Sequence, residues 1–216
     1  MKQDNGTTFQ PVANGEYRDA MNGLERFVKR LTDIVVSGLG LIALSPAFLL
    51  IWLLILVSGG KPIYKQERIG YKGKPFNIMK FRTMVKDCEK DGIPRTEEER
   101  SAQMTHVGRF LRDHHLDEFP QLWNVFRGDM SLVGYRPERQ VFIDKILERN
   151  PDYVQLYKIR PGLTSKATLY YGYTDTMEKM LTRLDMDLEY MTTRSLKGDI
   201  AIIWKTVSSI LVGKKF

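Results

Sequence analysis

The sequence predicts an α+β protein that is predominantly helical, and three observations carry the expectation. One uncharged apolar run, residues 34–60, is broken near its middle by Ser45-Pro46. Two short segments after it, 62–67 and 75–84, are separated by a glycine-containing turn and read as a β-hairpin. Much of the remainder carries apolar residues at three- and four-residue spacing. With 216 residues the chain is long enough for one domain with a real core plus appendages. A content of 43% hydrophobic and 27% charged residues is globular and excludes a disordered chain. The net charge of +7 favours anionic partners, and nucleic acid, acidic headgroups and phosphorylated substrates all fit it. Cys88 alone can form no internal disulfide, and no Cys/His spacing suggests zinc, so a reducing, cytosol-facing body is expected.

Residues 1–20 are polar, lack periodicity and read as a flexible leader. From Asn22 the pattern turns helical, with Leu24, Phe27, Val28 and Leu31 on one face and Arg26, Lys29 and Arg30 on the other. Such a cationic amphipathic lead-in suits a membrane surface. The uncharged run follows, long enough for a membrane helix; a buried core helix is the bland alternative. A signal peptide fits less well, because the run starts late and no small-residue cleavage site follows. Pro46 cannot donate to the carbonyl four residues back, so a kink is expected, with Ser45 helping to satisfy the freed backbone. Arg26, Lys29 and Arg30 precede the run, while Lys61, Lys65, Arg68, Lys72 and Lys74 follow it. Positive charge on both sides gives no clear inside. A helix that bends at Ser45-Pro46 and returns to the same face removes the conflict; a kinked spanning helix stays open.

The hairpin could hold Lys65, Arg68, Lys80 and Arg82 near phosphates, or simply be solvated. Residues 86–103 mix acids and bases and read as an exposed connection. Thr105 can cap a short helix through Val107, Phe110 and Leu111. Asp117-Glu118 then precede a second helix with Phe119, Leu122, Trp123 and Phe126 on one face. An N-cap and a first-turn acid explain this pair locally. The other reading is chemical. One carboxylate can attack phosphorus, its neighbour can hold Mg²⁺, and arginines can neutralise the transferring group. Adjacent His114 and His115 point apart on a helix and make a poor metal site. Further on come a proline-capped helical piece near Pro151 to Tyr157, the RPG turn, a helix from about Thr176 to Arg194, and a final helix from Asp199 to Val212. That last helix, with Trp204 and Lys205, suits either core packing or docking at a membrane interface. Asp187 could meet a substrate or metal, yet it is one acid among several on its helix.

The run LDEFPQLWNVFRGDMSLVGYRPE, Leu116 to Glu138, resembles the signature of the bacterial sugar transferase family, the monotopic phosphoglycosyl transferases. Ser45-Pro46, YKQERIG with KFRTM, RPGLT at 160–164 and DLEY at 187–190 match in the same order. The resemblance covers about residue 25 to the end. It implies transfer of a sugar-1-phosphate from a UDP-sugar to a polyprenyl (undecaprenyl) phosphate, with release of UMP, as the first membrane step of a surface glycan. It implies Asp117 as the nucleophile carrying a covalent phosphosugar and Glu118 as the acid associated with Mg²⁺. Arg112 and Arg136 match phosphate-contacting positions, and Lys80 and Arg82 a basic strand near the lipid phosphate. Ser45-Pro46 matches the break of a re-entrant helix. The implied plan is a leader (1–20), a membrane-inserted re-entrant helix (21–60) and a helical catalytic domain with amphipathic interfacial helices (61–216). That domain would lie on the cytoplasmic face of a bacterial inner membrane. Membrane lipid is then a partner, nucleic acid is not, and a homodimer is compatible. A non-catalytic membrane-anchored scaffold of the same fold is the alternative. Two departures stand out: Tyr135 where the family usually has proline before Arg136-Pro137, and Thr164-Ser165-Lys166 with Tyr171-Gly172-Tyr173 where it often has Thr-Gly-Trp and Asn-Gly-Arg.

Overall fold

The computed structural model describes residues 17–85, 102–171 and 176–212. Most of the charged connection at 86–103, most of the leader and the pair Gly172-Tyr173 lie outside those residues. The chain is mostly helical, with a two-stranded antiparallel sheet and a second, parallel strand pair.

Helix α1 (Gly23–Ala43) starts with a capping box: the Asn22 side chain accepts from the Glu25 N–H, and Glu25 accepts from the Asn22 N–H. Its polarity is inverted relative to a soluble core helix. Lys29, Asp33 and Ser37 are buried, while Leu24, Phe27, Leu31, Leu39 and Ile42 are each more than half exposed. The polar face is the docking face. Lys29 pairs with Asp199 at 2.5 Å, and Asp33 accepts from the Leu132 N–H at 3.0 Å. Arg30 donates to the carbonyls of Val125 and Phe126, at the C-terminal end of helix α4 (Gln121–Arg127), where the dipole favours a cation. Close approach to α4 needs small residues: a Cβ on Gly38 would meet Phe126 at 3.3 Å, and one on Gly40 would meet Leu122 at 3.2 Å.

At Leu44 the chain bends by 60° into α2 (Ser45–Val57). The cause is the expected one. Pro46 cannot donate to the Ile42 carbonyl, and Ser45 Oγ takes that carbonyl instead at 2.7 Å. Among the described residues, no single helix is long and apolar enough to cross a membrane. The 13 residues of α2 extend about 20 Å against a hydrocarbon core of about 30 Å. This helix is apolar all round, yet only Ile51 and Ile55 are buried. They join Phe81 and Leu111 in a small core, with Phe48 edge-on to Phe81 at 5.7 Å.

Strands β1 (Ile63–Ile69) and β2 (Pro75–Phe81) form the predicted hairpin, with Ile63 opposite Phe81 and Ile69 opposite Pro75. The turn places Lys72 (φ 60°) and Gly73 (φ 67°) in the left-handed region. Thr105 caps α3 (His106–Asp113) through the Gly108 N–H, as its sequence position suggests. Strands β3 (Ser131–Val133) and β4 (Gly162–Thr164) were not anticipated. They pair in parallel and cross at two glycines: a Cβ on Gly162 would lie 2.1 Å from the Gly134 nitrogen. Three-residue strands are too short to show alternation, but Gly134 and Gly162 mark the crossing.

Helices α5 (Gln140–Leu147), α6 (Lys166–Tyr171), α7 (Met177–Thr193) and α8 (Leu196–Leu211) complete the body. Its main core includes Val125, Met130, Val133, Tyr135, Ile143, Leu156, Leu188 and Met191. The end of the expected leader also belongs to it. Tyr17 is 1% exposed, and Arg194 grips Asp19 by a two-pronged contact at 2.7 and 2.6 Å. Tyr17 and Asp19 are therefore fixed to the body, because that fork needs the Asp19 carboxylate in place.

Candidate active site

Asp117 does not cap a helix. It sits in a 3₁₀ turn, Leu116–Glu118, entered through His115 at φ 55°, while α4 begins four residues later behind Pro120 with no side-chain cap. Pro120 supplies a helix-compatible φ just ahead of α4, and the acid pair stands on the separate 3₁₀ turn before it. Asp117 is 8% exposed and forms no hydrogen bond with any described residue. Burial is the largest influence on it and pushes its carboxyl up to about 6; Lys80 opposes, Glu118 adds, and Arg112 and His115 oppose.

Glu118 behaves in the opposite way. Burial resists its ionisation, but Lys80 and Arg136 together outweigh that and hold it down to about 2. Lys80 Nζ lies 2.5 Å from Glu118 Oε1, and the second carboxylate oxygen has no hydrogen bond from a described residue. Lys80 reaches Glu118 because Asn124 ties α4 to the strand. Its side chain accepts from the Met79 N–H at 3.0 Å and donates to the Asn77 carbonyl at 2.8 Å.

A cleft opens beside this pair, walled by Arg68, Lys80, Glu118 and Arg136 on its charged side. Gly162 to Ser165, Thr168 and Gln121 complete the wall. Among the site residues expected from sequence, the cleft thus gathers Lys80, Glu118 and Arg136, with Asp117 adjacent and Arg112 close enough to act on its charge. Arg82 lies elsewhere. It faces a separate hollow with Ile55, Gly59, Gly60, Met84 and Val107, at the C-terminal end of α2. Although Lys80 and Arg82 are two apart, the strand ends at Phe81 and their surroundings diverge.

Asp187 is 2% exposed and lies behind the cleft rather than in its wall. Burial pushes its carboxyl up to about 8, against the pull of Arg183 and a hydrogen bond from the Arg136 N–H. It therefore positions Arg136 from behind. Glu138 contributes as well. Arg183 pairs with it at 2.6 Å and Arg68 at 3.3 Å, and Arg68 also donates to the Pro137 carbonyl. Residues 136–138 are thus bolted to α7 on one side and to β1 on the other. Sequence reading assigned no role to Glu138, Arg183 or Asn124, since a lone acid in a loop and single charges or amides on helices look solvated until their partners appear. Tyr135, next to Arg136, has its ring fully buried in the main core.

The described residues hold no group of three or more His, Cys, Asp or Glu side chains suited to a metal. Among the cleft-lining residues, Glu118 offers the one carboxylate, ionised, about a quarter exposed and with an unoccupied oxygen. Such a donor set fits Mg²⁺, which commonly uses one or two carboxylates and completes its shell with water and substrate phosphates.

Residues 24–213 match the bacterial sugar transferase family. The chain is 37% identical over 217 aligned positions to the UDP-glucose:undecaprenyl-phosphate glucose-1-phosphate transferase of Escherichia coli K12, covering 99% of this chain and 46% of that protein. It is 42% identical over 187 positions to the protein of the same name from Caulobacter vibrioides, covering 85% and 69%. To the UDP-N-acetylgalactosamine-undecaprenyl-phosphate N-acetylgalactosaminephosphotransferase of Aeromonas hydrophila it is 34% identical, covering 87% and 44%. The chain spans about half the length of most of these relatives. The acid-pair turn, the bent helix pair and a match over nearly all described residues agree: the chain belongs to the bacterial sugar transferase family.

Proposed function

We propose that the protein is a phosphoglycosyl transferase that moves a sugar-1-phosphate from a UDP-sugar to a polyprenyl phosphate. The observation that carries this reading is Asp117: a buried carboxylate that caps nothing, hydrogen-bonds to no described residue and stands beside an ionised Glu118. Structural buried carboxylates are normally hydrogen-bonded, so an unsupported one calls for a chemical role.

An Asp117 oxygen attacks the sugar-bearing phosphorus of the donor, and the bond to the bridging oxygen breaks with UMP as leaving group. The resulting acyl phosphate is attacked by an oxygen of the polyprenyl phosphate, which restores the Asp117 carboxylate and releases the lipid diphosphate sugar. The elevated pKa of Asp117 matches a nucleophile that is ionised near neutrality yet more basic than an ordinary aspartate. Arg136, fixed by Asp187, and Lys80 sit where they offset charge on the transferring group. Glu118 would hold Mg²⁺ jointly with the donor phosphates, and the cation would supply charge neutralisation at the diphosphate.

The outward apolar faces of α1 and α2 support membrane insertion as a re-entrant pair, with the body on the cytoplasmic face of a bacterial inner membrane. Arg82, at the α2 end of its hollow, is then placed for a lipid phosphate. Purified protein should release UMP from a UDP-sugar only when polyprenyl phosphate is present, and a labelled donor should mark the protein covalently at Asp117. Absence of UMP release with every UDP-sugar tried would instead indicate a scaffold. Cysteines placed at Asn22 and Lys72, with Cys88 replaced by serine, should label from the same side of the membrane. Labelling from opposite sides would mean a spanning helix.

A further inference from the structure

The neutral wall of the cleft carries hydrogen-bonding groups that the transfer chemistry leaves unused. Gln121 is 3% exposed, yet its amide has no partner among the described residues while it lines the cleft. Its amide therefore faces the cleft with its donor and acceptor open to a ligand. On the facing segment the hydroxyls can be assigned by proton count. Thr206 donates to the Ile202 carbonyl, so Thr164 must donate to Thr206 Oγ1 and has no proton left for a ligand. Ser165, 1% exposed, accepts from the Thr168 N–H, and its hydroxyl pairs with Thr168 Oγ1 at 2.9 Å, a contact that uses one of the two hydroxyl protons. One hydroxyl proton of this pair is thereby left over, and both side chains line the cleft, with Thr168 the more exposed of the two.

We infer that Gln121 and Thr168 read hydroxyl groups of the sugar carried by the donor, and that Thr168 is a specificity-determining residue. This rests on the function proposed above. The two side chains offer a neutral amide donor and acceptor plus a hydroxyl, the chemistry that distinguishes one sugar hydroxyl arrangement from another. The phosphates are served by the charged wall. Ser165 acts as a positioning residue that holds the Thr168 side chain at the cleft wall. The departure of this segment from the usual family text falls on this wall.

The test compares UDP-glucose, UDP-galactose and the two UDP-N-acetylhexosamines with wild-type protein, Thr168→Val, Thr168→Ser and Gln121→Glu, scoring kcat/KM for UMP release and inhibition by UMP. Thr168→Val should cost about tenfold in kcat/KM for the preferred donor, compress the ratio between donors and leave inhibition by UMP unchanged. Thr168→Ser, which keeps the hydroxyl, should restore the ratio. Gln121→Glu should shift the donor ratio as well. An unchanged ratio in Thr168→Val overturns the inference, as does a matching loss of UMP inhibition, which would place the hydroxyl on the nucleotide ribose. Failure of the wild-type protein to release UMP from any donor would instead refute the parent function.

Discussion

Two lysine–carboxylate pairs, both 2.5 Å long, hold different regions of this molecule. Under α1, Lys29 and Asp199 are closed off, with side chains 10% and 8% exposed, and the Tyr190 hydroxyl donates to the other Asp199 oxygen at 2.7 Å. In the cleft, Lys80 and Glu118 are about a quarter exposed, and one Glu118 oxygen remains available. The contact is the same; the surroundings differ. A closed, fully partnered pair acts as a clamp that seats the inverted helix on the body. An open, half-partnered pair can exchange its lysine for a cation and a phosphate. Length of an ion pair says little about its role; what completes its remaining lone pairs says more.

Asp117, beside the open pair, should give the largest effect. Asp117→Asn should lower transfer by roughly four orders of magnitude and abolish covalent labelling, while thermal unfolding shows equal or slightly higher stability because a desolvated carboxylate is gone. The closed pair should behave in reverse. Asp199→Ala leaves Lys29 buried and unpaired, so urea denaturation should show a loss of about 3–5 kcal/mol. Glu118→Gln should cost roughly a hundredfold in rate and flatten the Mg²⁺ titration, with little change in the urea midpoint. If Glu118→Gln destabilises as much as Asp199→Ala, the distinction between clamp and working pair is wrong.

Acidity sharpens the comparison further. The folded pKa of Asp117, about 6, lies above its unfolded value near 3.9, so keeping it ionised costs stability above pH 6. That cost falls away as pH drops from 6 towards 4. Activity runs the other way: kcat/KM should fall about tenfold per pH unit below 6, as the nucleophile gains its proton. A flat profile from pH 7 to 5 would count against Asp117 as the attacking group. The smallest effect belongs to the bend. Ser45→Ala removes the hydroxyl that satisfies the Ile42 carbonyl and should cost about 1 kcal/mol, read as a lowered melting temperature in detergent.

Much of this architecture is legible in single residues. Pro46 dictates a break because it has no N–H, and Ser45 beside it offers the replacement donor. Alternation and a glycine turn give the hairpin, and Thr105 gives a helix start. The pair Asp117-Glu118 is visible as chemistry-bearing but not as chemistry, since an N-cap explains it equally well until Pro120 is seen to start the helix later. Asn124, Arg183 and Asp199 are invisible in the same text, because each is one polar residue on an amphipathic helix, and Glu138 is one acid in a loop.

By itself the sequence determined local conformation: where the backbone bends, turns and starts a helix, and which stretch is too apolar for water. Those properties depend on neighbours within about four residues. Only the tertiary structure decided which polar groups are buried and what completes them. It turned the charged side of α1 inward, separated Arg82 from the cleft, set Asp187 behind Arg136, and raised Asp117 while lowering Glu118 one residue away. The physical reason is that desolvation and long-range pairing, not local propensity, decide whether a charged side chain clamps, positions or reacts.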